Sequence, residues 1–382
     1  LNLFLDDAWF VDALAGMLDF AGPVQSALRA AFGWGYGDYW FPNVRSLSGA
    51  IVMLSLVLYP YVYLLARAAF LEQSVRVLEV SRTLGATPMY TFLRVALPMA
   101  RPAIVAGLLL ALMETLADYG TVQYFGVSTF TTGIFRTWFG LGDAAAAAQL
   151  SALLMGFVFV LILFESWSRR AARYHHTGAQ PRSLPRHQLE GWRQAVGLAV
   201  CVVPLLFGFL LPAGQLLVWA AHTAGQIVDR EFLRLTSHSL LLAGSAALVT
   251  LAVGLFMAYS QRLHGSRWVN GAVRVAGLGY AIPGTVIAVG VMIPFAWFDN
   301  SIDAWMRARF DFSTGLLLSG TLIALLFAYM VRFLAVALQT VEAGLSKIRP
   351  SMDDAARSLG LAPGAVLKAV HVPVLRTSLF TA

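Results

Sequence analysis

Residues 79–85 read Glu79-Val80-Ser81-Arg82-Thr83-Leu84-Gly85, and residues 354–360 read Asp354-Ala355-Ala356-Arg357-Ser358-Leu359-Gly360. Thirteen residues after each glycine stands a proline, Pro98 in the first copy and Pro373 in the second. The acid, the arginine, the glycine and the proline thus recur at one constant offset, which is the separation of Gly85 from Gly360. Because a fixed internal period indicates duplicated structure, we predict two homologous halves, each with one copy of the same loop.

The composition of the chain is that of a membrane protein. Of its 382 residues, 58% are hydrophobic and only 12% are charged, and the mean hydropathy is +0.70. Soluble domains carry about 25% charged residues. Several apolar runs exceed the roughly 18–20 residues that cross the hydrocarbon layer as a helix. We therefore predict an all-α, polytopic transmembrane helical bundle in a lipid bilayer.

Cysteine usage and charge exclude other classes. The single cysteine, Cys201, allows no disulfide framework and no cysteine-based metal site within one chain. The formal net charge of +7 arises from basic residues dispersed at the ends of apolar segments, so no nucleic-acid partner is expected. The sequence begins without methionine and stops where a new apolar segment begins, and we expect it to be a fragment of a longer protein.

Seven apolar segments are predicted to span the membrane, and an eighth begins near residue 374. Most lysines and arginines lie in or beside alternate loops, at 67–101, 168–193, 261–274 and 332–376. The positive-inside rule places such loops in the cytoplasm, so both repeated loops are expected there. The predicted spans are residues 48–70, 101–117, 145–167, 194–220, 238–260, 272–298 and 315–338.

The repeat divides the chain into three parts. Residues 1–167 form a first half that lacks spans at its N-terminus, and residues 194–382 form a second half that lacks spans at its C-terminus. The polar segment 168–193 is interpreted as a cytoplasmic linker. The repeated loops occupy 71–101 and 339–376, and each complete half is expected to hold about six spans.

Each repeated loop is predicted to contain two short helices. Gly85 is placed to end the first helix, because a left-handed conformation costs glycine nothing. Thr87 and Pro88 suit the N-cap and first position of the second helix, which is expected to cover residues 89–96 and to end before Pro98. Two short helices at an angle would form a rigid projection, and its exposed apolar residues could insert into a groove on another protein. The alternative is an interfacial helix that lies on lipid headgroups. The equivalent positions of the second copy are Gly360, Ala362, Pro363 and Pro373.

The two loops resemble the EAA loop of ABC importer permeases, whose pattern is an acidic residue, two small residues, three spacers, glycine and a later proline. The first copy departs from it with Val80 and Ser81, and the second with aspartate in place of glutamate. In that family the loop forms coupling helices that dock into ATP-binding subunits. The resemblance and the repeat assign this role to Glu79, Arg82, Gly85, Pro98, Asp354, Ala355, Ala356, Arg357, Gly360 and Pro373.

Three longer segments, 112–126, 131–135 and 279–286, are similar to the fused, two-half permeases of bacterial iron(III) import systems. The resemblance implies the ABC type I importer permease fold and an inner-membrane location. It also implies two copies of an ATPase subunit, which would bind ATP and Mg²⁺, and a periplasmic solute-binding protein. Iron(III) is the implied solute, although thiamine, sulfate and polyamine permeases share the architecture.

Polar residues in apolar segments are candidates for lining a pathway. Glu114 lies deep in the span 101–117, and Asp118 is expected one helical turn further along the same face. With Tyr119 and Gln123, they would line the translocation path, where the two carboxylates and the phenol are hard oxygen ligands that suit Fe³⁺. The alternative is that the acids are paired and serve helix packing. No stable metal site is expected.

Pro283 and Gly284 fall inside the predicted span 272–298, where they are expected to interrupt helical hydrogen bonding. Broken helices in transporters often lie beside the pathway. The alternative is a kink that serves packing alone.

The sequence carries no catalytic or nucleotide-binding motif: no G-x-x-x-x-G-K-[ST] segment, no catalytic triad and no H-E-x-x-H arrangement. We therefore expect a transport subunit that is not an enzyme and binds no cofactor. A proton-coupled secondary transporter could use Glu114 and Asp118 as a relay, but it leaves the repeated loops unexplained. A receptor or scaffold that presents its loops to soluble partners is a further alternative.

Overall fold

The computed structural model describes residues 7–35, 37–72, 80–81, 83–170, 190–346, 348, 350–367 and 371–375. The regular structure in these ranges is helical, as predicted. The helices, including short π and 3-10 segments, are Asp7–Leu18, Pro23–Phe32, Leu47–Glu72, Pro88–Thr91, Phe92–Ala96, Leu97–Ala117, Gly120–Tyr124, Phe130–Phe135, Arg136–Gly140, Ala144–Arg170, Trp192–Leu205, Leu206–Leu210, Leu211–Ile227, Arg230–His264, Arg267–Ala276, Gly279–Ala281, Gly284–Phe310, Leu322–Leu345, Pro350–Ser358 and Pro363–Val366.

Seven continuous helical stretches of the described chain are long and apolar enough to cross a membrane. Only 11–28% of the most apolar part of each is buried inside the protein. Apolar side chains that remain exposed in this way are suited to contact with lipid. The seven stretches are Leu47–Leu71, Pro88–Ala117, Ala144–Phe164, Trp192–Ile227, Arg230–Leu263, Gly284–Phe310 and Leu322–Leu345.

The sequence repeat extends into the spanning helices. One helix begins at Leu47 and another at Leu322, and these two starts are separated by the same offset as Gly85 and Gly360. The predicted boundaries 315–338 were therefore wrong for this span, because the helix begins seven residues later and continues to Leu345.

Two carboxylates hold residues 311–321 outside a helix, a segment whose apolar residues are Phe312 and the run Leu316 to Leu318. Asp299 is fully buried and accepts hydrogen bonds from the backbone N–H of Leu318 and from both the N–H and the hydroxyl of Ser319, at 2.6–3.1 Å. Asp303 accepts from the backbone N–H of Thr314 at 2.9 Å. These bonds satisfy the loop backbone outside a helix, as buried polar groups require.

The predicted span 272–298 was also wrong. Residues Arg267–Ala276 form a separate short helix, and a 3-10 turn at Gly279–Ala281 follows it. Pro283 is the N-cap of the next helix, with an extended ψ of 139°, and Gly284 is that helix's first residue. Because proline has no N–H to donate and fits the start of a helix, it begins this span instead of interrupting one.

The described chain divides into two compact units. The first comprises Leu1–Asp143 and Ala152–Ile227. Here the helix Leu47–Glu72 packs along Leu97–Ala117 so closely that a methyl group on Gly107 would lie 2.7 Å from the Cα of Val62. The first helix of the chain packs on both Leu47–Glu72 and Leu211–Ile227. The helix Leu211–Ile227 belongs to the predicted second half. Because a helix of one half can pack on a helix of the other, this contact does not test the division into halves, which stays a prediction.

The second unit comprises Ala144–Ser151 and Val228–Ala382. The helices Arg230–His264 and Leu322–Leu345 pack side by side along their lengths. They approach closely at Gly254, where an added methyl group would lie 3.2 Å from the Cβ of Ala337. An apolar cluster between them includes the fully buried Val341 and Leu375. This cluster supports the second repeated loop.

Candidate functional site

The first repeated loop turns at Gly85, which has a φ of +82°. The N–H of Leu84 donates to the carbonyl of Val80 at 3.1 Å, and the N–H of Ala86 donates to the carbonyl of Ser81 at 3.1 Å. This pair of bonds closes a helix on a left-handed residue, a conformation that favours glycine. The prediction that Gly85 ends a short helix is therefore confirmed.

The second repeated loop has the same backbone geometry. Gly360 has a φ of +81°, and the N–H groups of Leu359 and Leu361 donate to the carbonyls of Ala355 and Ala356, each at 3.2 Å. These hydrogen bonds and those of the first loop join positions that correspond in the sequence repeat. The geometry of this turn is therefore repeated in the backbone as well as in the sequence.

A capped helix follows the turn in the first loop. The side chain of Thr87 accepts a hydrogen bond from the N–H of Tyr90, and Pro88 occupies the first helical position. Both features were predicted. The expected end before Pro98 was wrong, because a π turn, Phe92–Ala96, leads directly into the helix Leu97–Ala117. The wider turn accommodates a proline that cannot donate to the helical ladder.

The second loop repeats this connection where it is described. Its helix Pro363–Val366 is followed by π geometry at residues 367 and 371 and by helix at 372–375. Pro373 therefore stands within the described helical residues 372–375, as Pro98 stands within Leu97–Ala117.

Both loops present an apolar side chain to the surroundings immediately before the glycine. Leu84 and Leu359 are each 81% exposed. In the first loop Leu84 borders an open, shallow groove of about 730 Å³. The groove is lined by Val80, Ser81, Leu84, Gly85, Ala86, Thr87, Tyr90 and Val95. Exposed apolar groups around a concave surface are typical of sites that bind another protein.

The second loop is tied to the spanning helices by charged side chains that the sequence analysis did not single out. Arg262 donates through Nε to Oδ2 of Asp353 at 2.8 Å, and through its two Nη atoms to the carbonyls of Leu345 and Ile348 at 2.7 and 2.9 Å. The Nε2 of His371 lies 2.6 Å from Oδ1 of the same carboxylate. Because a carboxylate only accepts, Nε2 carries the hydrogen.

Burial would raise the pKa of Asp353, but the hydrogen bonds from His371 and Arg262, together with their charges, outweigh it and hold the pKa below its ordinary value. The side chains of Arg262, Asp353 and His371 are only 19%, 14% and 1% exposed. Asp353 is therefore an ionised group with a partner on each oxygen.

The predicted loop residues have different positions. Glu79 and Arg82 lie outside the described residues, as does the side chain of Arg357. Among the other predicted loop residues, Ala356 is buried. The remaining six are exposed: Gly85, Pro98, Asp354, Ala355, Gly360 and Pro373. The anchoring acid is thus Asp353, the neighbour of the acid that fits the motif. Its position facing Arg262 could not be read from the motif spacing.

The predicted pathway residues lie around the end of the helix Leu97–Ala117. Asp118 is the C-cap of this helix: its φ of −65° keeps Asp118 itself in line with the helix, and its ψ of 131° turns the chain only after it, so that a shared face with Glu114 stays a prediction. The carboxylate of Asp118 accepts a hydrogen bond from the N–H of Val122 at 3.0 Å and thereby organises the next turn. Tyr119 stacks on Phe135 with ring centroids 4.0 Å apart, and Gln123 is exposed. Among the described residues, no group of three metal-ligating side chains occurs.

Arg332 lies within the helix Leu322–Leu345, inside the predicted span 315–338 and next to the basic loop that follows it. Its Nη1 atom lies 2.7 Å from where a methyl group on Gly284 would be, and its Nε is buried with no hydrogen-bond partner among the described residues. Gly284 therefore leaves space for this guanidinium, a role different from the predicted interruption of a helix.

Comparison with known proteins identifies related sequences. Residues 21–173 match the family described as binding-protein-dependent transport system inner membrane component. The chain is 26% identical to the Fe(3+)-transport system permease protein FbpB 2 of Haemophilus influenzae, over 87% of this chain and 63% of the relative. It is 23% identical to the ferric transport system permease protein FbpB of Actinobacillus pleuropneumoniae, over 96% of this chain and 53% of the relative.

Part of the chain also matches a permease for another solute. The molybdenum transport system permease protein ModB of Escherichia coli is 24% identical over 35% of this chain and 62% of the relative. The chain spans 53–63% of the length of the iron-related relatives described above. No solved structure matches the chain significantly.

Proposed function

We propose that this chain, which resembles the ABC importer permeases of bacterial iron(III) transport, forms the membrane pathway of an ATP-driven importer. The single observation that supports this most strongly is the repetition of one loop geometry at Gly85 and Gly360, with equivalent hydrogen bonds at equivalent positions. A pathway subunit that is driven from two sites needs two equivalent contact points, and the two loops would supply them.

Each loop would engage one copy of an ATPase subunit. The exposed Leu84 and Leu359 would enter a groove on that subunit, since burying a leucine side chain contributes about 1.5–3 kcal/mol. The distribution of lysine and arginine favours a cytoplasmic position for both loops and for the linker 168–193. ATP and Mg²⁺ would be bound by the partner and not by this chain.

Closure of the ATPase subunits would then move the two loops and open the pathway to the opposite side of the inner membrane. The π turn Phe92–Ala96 joins the first loop to the helix Leu97–Ala117 without a break, so that this helix would follow the loop. A periplasmic binding protein would deliver the solute. The contribution of Glu114 and Asp118 to the pathway belongs to the same proposal.

Iron(III) is the solute that the similarity favours. The ferric relatives match over most of this chain, whereas the molybdenum permease matches about a third of it. A permease requires only brief contacts with its solute, so a coordination site of high affinity is not required.

ATP-dependent uptake of radiolabelled Fe³⁺ into proteoliposomes tests this proposal. The full-length protein is reconstituted with its ATPase and binding protein, and the wild type is compared with a Leu84→Asp/Leu359→Asp double variant. Leu141→Asp is the control, because Leu141 is 75% exposed but lies outside both loops. We expect ATP-dependent uptake that the double variant abolishes and the control retains.

The other outcomes are informative. ATP-dependent uptake of thiamine, sulfate, a polyamine or molybdate in place of iron would retain the permease and reject the solute. Uptake driven by a proton gradient without the ATPase would replace the proposal with a secondary transporter. The absence of any solute flux would favour a receptor or scaffold.

A further inference from the structure

We propose that Arg262 and His371 are positioning residues that act through Asp353, and that they fix the second loop to the spanning helices so that its movement is transmitted to them. This inference rests on the proposed function for its consequence in transport, but its geometry stands independently. The residues concerned match no part of the EAA pattern.

The guanidinium of Arg262 joins three parts of the second unit. Arg262 belongs to the helix Arg230–His264, and its acceptors are the last residue of the helix Leu322–Leu345, the following Ile348, and Asp353 of the helix Pro350–Ser358. A planar fork with fixed donor directions can satisfy these acceptors together, whereas an ammonium group cannot. The loop helix is thereby fixed to two spanning helices at one point.

His371 fixes the other side of the same carboxylate. It lies in the π segment that leads into the last described helix, it is fully buried, and its ring meets Tyr259 edge to face with centroids 5.3 Å apart. Tyr259 belongs to the same helix as Arg262. Asp353 is thus held from the helix Arg230–His264 directly and, through His371, from the start of the next helix.

The sequence of the first loop has no acid or histidine at the positions equivalent to Asp353 and His371. In the register of the repeat, Asp353 corresponds to Leu78 and His371 to Ala96, and neither side chain can form an ion pair or a hydrogen bond. The two loops therefore share one backbone geometry but differ in their attachment. We infer that the second loop transmits movement through a charged anchor whose aspartate and histidine have no counterparts at the equivalent positions of the first loop.

The test uses the full-length protein reconstituted in liposomes with its ATPase and binding protein. Arg262→Lys keeps the positive charge but removes the planar guanidinium. His371→Leu removes the Nε2–H group that donates to Asp353. His371→Gln keeps a donor near the position of Nε2 and serves as the conservative rescue. Arg267→Lys is the matched control, because Arg267 is exposed and close in sequence.

Two quantities are measured. The first is solute uptake per ATP hydrolysed, together with the KM for the solute. The second is the distance distribution between spin labels at Phe256→Cys and Ser351→Cys, in a background where Cys201 and any other cysteine of the longer protein are serine. Both label positions are exposed, one on the helix Arg230–His264 and one on Pro350–Ser358.

We expect Arg262→Lys and His371→Leu to broaden the distance distribution and to lower uptake per ATP by about tenfold, because each loses a hydrogen bond to a charged group. The KM should stay unchanged, and His371→Gln and Arg267→Lys should match the wild type. An unchanged distance distribution in Arg262→Lys and His371→Leu would overturn the anchor. A broadened distribution with wild-type uptake per ATP would overturn its role in transport.

The two proposals fail separately. If the wild type shows no ATP-dependent uptake, the proposed function is wrong and the distance measurement alone decides whether the anchor exists. If uptake is normal and the distances do not respond to the variants, the proposed function stands and the anchor is rejected.

Discussion

Adding one methyl group at Gly360 should destabilise the second loop, whereas the same change four residues later should not. Gly360 has a φ of +81°, and no atom lies within 4 Å of where its Cβ would be. The cost of Gly360→Ala is therefore conformational and not steric. A left-handed conformation costs an L-residue about 1–2 kcal/mol. The lower entropy of the unfolded alanine chain offsets about 0.4–1 kcal/mol of this, which leaves a net cost of about 1 kcal/mol.

Gly364→Ala is the matched control. Gly364 lies in the helix Pro363–Val366 of the same loop, and it too has open space around its Cβ position. Its φ is outside the left-handed region, so alanine there should stabilise the helix by up to about 1 kcal/mol. The two changes add the same atoms to one loop and have opposite expected signs.

Hydrogen–deuterium exchange of the full-length protein in lipid nanodiscs measures the difference. The amides of Leu359 and Leu361 close the turn, and their exchange reports its opening. In Gly360→Ala we expect these amides to exchange roughly fivefold faster than in the wild type, since about 1.4 kcal/mol corresponds to a factor of ten. In Gly364→Ala they should exchange at the wild-type rate or slower. Equal acceleration in both variants, or none in Gly360→Ala, would refute the argument from backbone geometry.

Three other predictions concern packing, a buried carboxylate and pH. Gly107→Ala should lower the stability by about 1–3 kcal/mol, because its methyl group meets the backbone of Val62. Thermal unfolding should show this, whereas Gly156→Ala, which has open space inside a helix, should leave the stability unchanged or raise it by up to about 1 kcal/mol. Asp299→Ala should lower the stability by about 2–3 kcal/mol in the same assay, because the N–H groups of Leu318 and Ser319 would lose their hydrogen-bond acceptor. An unchanged unfolding midpoint would contradict this. The folded-state pKa of Asp353 is lowered, so its stabilisation is present above the unfolded value of about 3.9 and lost as pH falls through the folded pKa. Spin-label distances across the anchor should therefore agree at pH 7 and 5 and broaden only below about pH 4, and broadening already at pH 5 would count against an ionised Asp353.

The features that could be predicted from the sequence are those set by local chemistry or by repetition. Hydropathy predicted a helical membrane protein because a spanning helix needs an apolar run of a fixed length. The turns at Gly85 and Gly360 were predicted because a left-handed residue at a helix end favours glycine. Thr87 and Pro88 were predicted as a helix start for an equally local reason.

The features that could not be predicted depend on partners distant in the sequence. The predicted span began at residue 315 because the leucine run Leu316 to Leu318 resembles the start of an apolar helix. That run belongs to a loop held by Asp299, a residue 19 positions before Leu318. Arg262 and Asp353 are 91 positions apart, and only the packing of two spanning helices brings them together. The motif directed attention to Asp354, whereas the fold uses its neighbour.

The unbroken passage from the first loop into its span has a mechanical consequence. From Pro88 to Ala117 the chain is helical for 30 residues, a length of about 45 Å at 1.5 Å per residue. Such a rod behaves as a lever, with Gly85 just before one end and Asp118 just after the other. A small tilt imposed at the Gly85 end would displace the Asp118 end sideways, parallel to the membrane plane. The stacked rings of Tyr119 and Phe135 lie next to that end and would move with it.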